Sequence, residues 1–189
     1  MSFDPEIHHR RSIRLRGYDY SLPGRYFTTL CAHEKKCLFG EVVEGQMVLN
    51  EPGKLIEEIW RAMPGRFTRI ELDAFVVVPN HIHMILNIVG APLAGARFGR
   101  GQAPPLQGSI RTGKRPAPTV GDVIGAFKSI STIAVSRMTP SAPIGRSGKL
   151  RQRNYFDHII RDEWELGKIR EYIQTNPLRW AFDRENPQT

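Results

Sequence analysis

The middle of the chain predicts a hairpin of two buried strands. Residues 75–78 form a continuous apolar and β-branched run, and residues 81–89 again suit a strand. Pro79 and Asn80 separate the two runs as a turn, because proline fixes φ and asparagine tolerates left-handed geometry. Side chains alternate between the faces of a strand, so every second residue from Ile82 faces the same way. We expect this apolar set to enter the core: Ile82, Met84, Leu86 and Ile88.

Further patterns place strands and helices around this hairpin. Strand patterns cover residues 25–31, 38–43, 47–49 and 154–160, with a turn at residues 44–46. Helical periodicity begins after Asn50, near residue 119 and near residue 161. The order strand, helix, hairpin, helix, strand and terminal helix predicts an α+β fold. We expect one antiparallel sheet with the helices packed largely on one face, which leaves the other face free for a ligand.

Length and composition predict a single domain with two basic extensions. The chain has 189 residues, which we expect to form one domain over residues 1–189. Residues 1–24 form a polar and basic N-terminal arm. Residues 90–119 contain 11 Gly or Pro among 30 residues, which predicts a flexible insertion. The chain has no apolar run of about 18 residues and no apolar signal region, so we expect a cytoplasmic protein without a membrane span.

Positive charge is concentrated in one third of the chain. The net charge is +8, and residues 91–154 carry eleven Lys or Arg against one acid, Asp122, a local net charge of +10. A basic block beside a nearly neutral body is typical of proteins that bind a polyanion, most often a nucleic acid. The alternative is a solvated, solubilising surface.

His81 and His83 lie on the face of the hairpin opposite to the apolar set. Two imidazoles at i and i+2 of an otherwise apolar strand are unusual, because each buried polar group needs a partner. Such residues are about 7 Å apart along the strand, and their side chains can converge on one ion. The pair therefore predicts a metal site, with hydrogen-bonded structural histidines as the alternative.

The two cysteines give a weaker pattern. Cys31, His33 and Cys37 could form a metal loop, but a fourth ligand is missing. Two cysteines also make no disulfide framework, so we expect buried or free thiols.

Tyr172 and Asn176 are four residues apart in the last helical pattern, which places them on one helix face. A phenol can attack a phosphate if its proton is drawn off and the phosphate charge is neutralised. An ion held by His81 and His83 would act as the Lewis acid, and Asn176 could add an oxygen ligand. In the structural alternative, Tyr172 is a core-edge aromatic and Asn176 caps a short helix that starts at Pro177.

Several segments resemble a known family. Pro79-Asn80-His81-Ile82-His83 matches the His-hydrophobic-His motif of single-strand DNA transposases with a catalytic tyrosine, and residues 171–177 are similar to their tyrosine helix. The most similar branch is the REP-associated tyrosine transposases, which are tied to repetitive extragenic palindromes in bacteria. Residues 14–20, 37–41 and 180–182 also resemble that branch. The resemblance covers most of the chain except residues 90–119.

The resemblance implies a ferredoxin-like or RRM-like sheet with the tyrosine on a C-terminal helix. It implies that Tyr172 attacks single-stranded, hairpin-bearing DNA and gives a 5′-phosphotyrosine link and a free 3′-hydroxyl. It further implies that His81, His83 and Asn176 hold Mg²⁺ or Mn²⁺; imidazole ligands favour manganese on grounds of softness. The linked intermediate keeps the bond energy, so rejoining needs no ATP.

The chain departs from the family before the closing strand. Arg151-Gln152-Arg153 stands where the family has Trp-Gln-Arg, so we expect a phosphate contact in place of an aromatic one there. We expect the DNA contacts in this loop and in the N-terminal arm. The arginines concerned are Arg10, Arg11, Arg14, Arg16, Arg151 and Arg153.

Other functions are compatible with parts of the pattern. A non-catalytic RRM-like module could hold nucleic acid through stacking and phosphate contacts, but it does not need both histidines and the tyrosine. A histidine-triad hydrolase needs a third histidine where this chain has Ile85. A barrel metallohydrolase needs more strand–helix units than 189 residues without repeats provide. The sequence leaves a monomer and a homodimer equally open.

Overall fold

Four of the six strands in the described part of the chain form one sheet. The computed structural model describes residues 15, 17–90, 118–138, 150–152, 154–183 and 186–187. The strands are β1 (Gly24–Cys31), β2 (Gly40–Val43), β3 (Gln46–Leu49), β4 (Ile70–Val78), β5 (His81–Ile88) and β6 (Phe156–Ile160). The helices are α1 (Glu51–Ala62), α2 (Val120–Met138) and α3 (Glu163–Thr175), with 3₁₀ turns at His33–Lys35, Met63–Gly65 and Pro177–Phe182.

The strand order confirms the predicted antiparallel sheet. The order is β4–β5–β1–β6, and each neighbouring pair is antiparallel. Since α1 lies between β1 and β4 in the chain, and α2 between β5 and β6, this is the ferredoxin-like β-α-β-β-α-β arrangement. Strands β2 and β3 form a separate hairpin, whose turn has φ values of 51° at Glu44 and 75° at Gly45. The predicted turn is therefore confirmed.

The apolar face of β5 packs against α1 and α2. Trp60 of α1 lies between two aromatic rings, with centroid distances of 5.3 Å to Phe127 of α2 and 5.6 Å to Phe75 of β4. The buried residues of β5 in this cluster are the predicted ones: Ile82, Met84, Leu86 and Ile88. The predicted core face of the hairpin is confirmed.

Helix α3 covers the opposite face. Apolar side chains of α3 and of three strands form a second, smaller core: Phe27, Ile85, Ile160, Leu166 and Ile173. The expectation that helices pack largely on one face holds for α1 and α2. Helix α3 instead closes part of the face that we expected to be open, and it brings Tyr172 onto the face of His81 and His83.

Side-chain caps fix where the helices begin. The Asn50 side chain accepts a hydrogen bond from the Gly53 amide at 2.9 Å, as the sequence predicted. The Asp162 side chain accepts one from the Glu165 amide at 2.8 Å. Each such cap contributes about 1 kcal/mol of stability. The Asp162 cap fixes the start of α3, and with it the position of Tyr172 along the sheet.

Several expected features lie outside the described residues. These are most of the N-terminal arm, residues 91–117 of the insertion and five of the six expected DNA contacts: Arg10, Arg11, Arg14, Arg16 and Arg153. Within the described residues, every helix is too short or too polar to cross a membrane.

Candidate metal and tyrosine site

His81 and His83 occupy a central strand of the sheet and point to the same face. Strand β5 pairs with β4 on one side and β1 on the other, which leaves both imidazoles buried. Their Nε2 atoms are 2.9 Å apart. The alternation of β5 therefore brings the two side chains together, as the sequence predicted.

Neighbouring polar groups orient both rings. Asn80 Oδ1 lies 2.8 Å from His81 Nδ1, and Thr29 Oγ1 lies 2.8 Å from His83 Nδ1. An amide oxygen can only accept, so His81 Nδ1 carries the proton and its Nε2 carries a lone pair. The Thr29 hydroxyl can accept in the same way from His83. Such outer hydrogen bonds fix the tautomer that binds a metal through Nε2.

The surroundings keep His83 neutral. Burial lowers the pKa of His83 well below 6.5, and a positive charge on His81 would lower it further. Neutral imidazole is the form that binds a metal ion, since protonation removes the lone pair.

Helix α3 places Tyr172 against the histidine pair. The Tyr172 hydroxyl lies 3.1 Å from His83 Nε2, and the two ring centroids are 5.0 Å apart. The Phe27 ring contacts both groups. Its centroid lies 6.2 Å from that of Tyr172, and it stacks against the His83 ring with a centroid distance of 5.4 Å. Tyr172 is 39% exposed, so part of its side chain faces solvent.

Asn176 directly follows α3, and its side chain is buried. It occupies the N-cap position of the short helix at Pro177–Phe182, as predicted, but it has helical φ and ψ and its side chain makes no cap hydrogen bond. Its Nδ2 donates to Asp183 Oδ2 at 3.3 Å. Its Oδ1 is buried and has no hydrogen-bond partner within the described part of the chain. A buried oxygen of this kind is costly unless something binds it, and a cation would do so.

Asp183 is a site residue that the sequence analysis missed. Its Oδ2 lies 3.9 Å from His81 Nε2, and one ligand atom from each of His81, His83 and Asp183 lies within 4.8 Å of the others. Among the described residues, no other group of three or more His, Cys, Asp or Glu side chains has its ligand atoms this close together. Its sequence signal was weak: Asp183 is the acid that follows the family-like segment ending at residue 182.

The donor set suits a hard or borderline divalent ion. Two neutral imidazole nitrogens, one carboxylate and one unpaired amide oxygen are ligands that Mn²⁺ and Mg²⁺ accept. Two Nε2 atoms at 2.9 Å need a proton or a cation between them, because their lone pairs otherwise repel. The residues present therefore fit a metal ion. Neither cysteine forms a disulfide, and neither belongs to such a cluster among the described residues, so the structure gives no support to the alternative metal loop.

Arg151 lies in the interior, so the expectation of a surface position is wrong. Its side chain is buried, and its guanidinium carbon lies 4.8 Å from the centroid of the Phe127 ring. Nη1 donates to Ser131 Oγ, whereas Nε and Nη2 have no partner among the described residues. Burial lowers the pKa of Arg151 to about 9. The aromatic surface of α2 holds this cation away from any surface contact with DNA.

Replacement of Arg151 by methionine is expected to stabilise the fold. Methionine keeps contact with Phe127 and removes a buried charge that pairs with no carboxylate of the described residues, so we expect a gain of about 1 kcal/mol. Urea denaturation of the two proteins measures it. Lys54→Met, which removes an exposed cation on α1, is the control and should change stability by less than about 0.5 kcal/mol. A loss of stability in Arg151→Met would mean that the stacking on Phe127 outweighs the burial of charge.

Comparison with known proteins finds a curated relative and several solved structures of similar fold. The relative is an uncharacterised protein of Haemophilus influenzae, 36% identical over 186 residues, which covers 96% of each chain. One of these structures is a REP-associated tyrosine transposase bound to a REP hairpin, with a TM-score of 0.51 and 14% identity over 90% of this chain and 77% of the other. No protein-family model matches. The chain therefore belongs to one family with the Haemophilus influenzae protein, and it has the fold of the REP-associated tyrosine transposase.

Proposed function

We propose that the chain is a metal-dependent enzyme that nicks and rejoins single-stranded DNA through Tyr172. One observation carries the proposal: the Tyr172 hydroxyl lies 3.1 Å from His83 Nε2, which lies 2.9 Å from His81 Nε2. A nucleophile and two metal-ligating groups thus share one site although they are far apart in the sequence. The transposase fold supports the same chemistry.

The proposed reaction exchanges one phosphate ester for another. Tyr172 Oη forms a bond to phosphorus, and the bond from phosphorus to the 3′ oxygen breaks. The phenol proton leaves to solvent at the partly exposed Tyr172 side chain, and the departing 3′ oxygen takes up a proton. The products are a 5′-phosphotyrosine and a free 3′-hydroxyl. Attack by a 3′-hydroxyl reverses the exchange without ATP.

Four residues would hold the metal ion: His81, His83, Asn176 and Asp183. The ion supplies Lewis-acid neutralisation of the phosphate charge. The protein supplies the rest: Asn80 and Thr29 orient the imidazoles, Phe27 fixes the rings of His83 and Tyr172, and α3 holds the phenol in place. Mg²⁺ and Mn²⁺ both suit this set.

Hairpin-bearing single-stranded DNA is the substrate we propose. The solved transposase is bound to a REP hairpin, and the net charge of +8 favours a polyanion. The basic arm and the loop before β6 stay our candidates for phosphate contacts. The residues are Arg10, Arg11, Arg14, Arg16 and Arg153.

The non-catalytic alternative fits the geometry less well. RRM-type modules stack bases on the open face of their sheet. Here α3 packs on that face, where Leu166 and Ile173 are buried. A pure binding module would also have no use for a buried histidine pair in contact with a tyrosine.

A covalent trapping assay tests the proposed function. Labelled oligonucleotides with a palindromic hairpin and randomised single-stranded flanks are incubated with the protein and Mn²⁺ or Mg²⁺, then separated on a denaturing gel. We expect a label-bearing protein band that requires the metal and is lost with fully double-stranded DNA. Absence of this band with either metal, over the whole randomised pool, would contradict the proposal.

Replacement of Asp183 by asparagine is expected to weaken Mn²⁺ binding about tenfold or more. Asparagine keeps the size and an oxygen that accepts from Asn176 Nδ2, but it removes the negative charge opposite His81. Calorimetric titration with Mn²⁺ measures the change. Glu171→Gln is the control, because it neutralises an exposed acid of α3. This variant should bind Mn²⁺ as the unaltered protein does. Equal affinities in both variants would exclude Asp183 from the metal site.

A further inference from the structure

We infer that Asp73 and Arg170 form a positioning pair that sets the rotation of α3 and thereby places Tyr172 at the histidines. The inference rests on the proposed function, in which Tyr172 is the nucleophile. It concerns two residues that touch neither the phosphate nor the metal ligands. Their effect on the reaction would therefore be indirect, through the orientation of the helix.

A β-bulge in β4 presents Asp73 to the helix. Leu72 pairs with Leu86 and Phe75 pairs with Met84, so Asp73 and Ala74 together oppose one residue of β5. Without the extra residue, the alternation of β4 would not place both Leu72 and Phe75 on the core face. Bulges often redirect a side chain next to a functional site. Here the bulge directs a carboxylate to the face that α3 covers.

Arg170 binds this carboxylate with two parallel hydrogen bonds. Nε donates to Asp73 Oδ1 at 2.9 Å and Nη2 donates to Oδ2 at 2.6 Å. The Asp73 side chain is only 14% exposed, and the Arg170 hydrogen bond lowers the pKa of Asp73. Paired, planar contacts of this kind restrict orientation as well as distance. They therefore differ from a loose ion pair between two mobile side chains.

The position of the pair on α3 is suited to controlling rotation. Arg170 precedes Tyr172 by two residues, which corresponds to about 200° around the helix axis. Arg170 reaches the edge strand β4, while Tyr172 contacts His83 of β5 and Phe27 of β1. A turn of the helix about its axis would move both side chains at once. Holding Arg170 therefore also holds the phenol.

Among the described residues, the other contacts between acids of α3 and basic side chains of the sheet lie at the first turn of the helix. Glu163 binds Arg25 of β1 at 2.6 Å, and Glu165 binds His158 of β6 at 2.6 Å. Both contacts are about two turns away from Tyr172. Among ion pairs of the described residues, only Asp73–Arg170 ties the second half of α3 to the sheet. Ile173 adds an apolar contact with the smaller core, but such a contact is not directional.

Two substitutions test the inference: Arg170→Ala and Asp73→Asn. Asparagine retains the oxygen that accepts from the Ala74 amide, so the bulge keeps its own hydrogen bond. In single-turnover experiments with saturating hairpin DNA and Mn²⁺, we expect adduct formation to slow about tenfold, since a shift of about 1 Å can cost up to about 100-fold. The Kd for DNA and the affinity for Mn²⁺ should stay unchanged. A purely structural role would lower the melting temperature without this selective loss of rate.

Charge reversal and a helix control complete the experiment. The double variant Asp73→Arg with Arg170→Asp should recover part of the rate lost in either single reversal. Lys168→Ala, which removes an exposed side chain paired within α3, should retain the unaltered rate. If the parent protein is active and both Arg170→Ala and Asp73→Asn form the adduct at the parent's rate, the positioning inference is overturned. The proposed function would still stand. If the parent protein forms no adduct, the proposed function fails, and a second measurement tests the positioning pair by itself. In this measurement, 3-fluorotyrosine is placed at position 172 and its ¹⁹F NMR spectrum is recorded with and without Arg170→Ala. Identical spectra would overturn the inference that Arg170 orients Tyr172.

Discussion

Replacement of Tyr172 by phenylalanine is expected to abolish the covalent protein–DNA adduct. Phenylalanine keeps the ring beside His83 and Phe27 but lacks the oxygen that would bond to phosphorus. With saturating hairpin DNA and Mn²⁺, we expect adduct formation to fall by about 1,000-fold or more, as for the loss of other nucleophiles. A denaturing gel measures the adduct, and fluorescence anisotropy should give an unchanged Kd for DNA.

A second tyrosine provides the control for this experiment. Tyr20 packs beside the main core, away from α3, and Tyr20→Phe should form adducts as the parent protein does. Adducts that persist in Tyr172→Phe would remove Tyr172 from the proposed role. Peptide mapping of the trapped DNA would then identify the residue that carries it.

Replacement of His81 by alanine is expected to remove the stimulation of cleavage by metal. The His81 ring is fully buried between Asn80, His83 and Trp180, and its Nε2 faces the other ligands. Without it, we expect Mn²⁺ affinity to fall by about 100-fold or more and the metal-dependent adduct to disappear at micromolar Mn²⁺. Calorimetry reports the affinity, and the trapping assay reports the rate.

The affinity of His81→Ala for DNA shows whether this variant has lost only the metal or has also lost its fold. His81→Ala should keep the Kd for hairpin DNA within about twofold, because phosphate contacts rather than the ion supply most of the affinity. His33→Ala, at a 3₁₀ turn outside the site, should behave as the parent protein in both assays. Metal-stimulated cleavage that survives in a folded His81→Ala protein would exclude His81 as a ligand.

The sequence was sufficient to predict the part of the site that lies on a single strand, β5. Strand alternation alone puts His81 and His83 on one face and four aliphatic residues on the other, and the structure has both. The period of a strand is a local property, so no knowledge of distant contacts was required. The same holds for the start of α3, which helical periodicity predicted near residue 161 and which the structure has at Glu163.

The remaining features of the site depend on tertiary contacts, which local sequence patterns do not reveal. Asp183 reaches His81 because the chain turns back through the 3₁₀ segment at Pro177–Phe182, which has no periodicity to detect. Arg151 is buried because aromatic rings from elsewhere surround its guanidinium, whereas charge alone predicts a surface position. The bulge at Asp73 and Ala74 depends on pairing with β5.

Helix α3 crosses the sheet of its own chain, so the phenol and both imidazoles belong to one polypeptide. On the proposed chemistry, the nucleophile and the metal ligands of one scission would come from the same protomer. Mixing a Tyr172→Phe protein with a His81→Ala protein should therefore restore no adduct, because neither protomer carries both halves of the site.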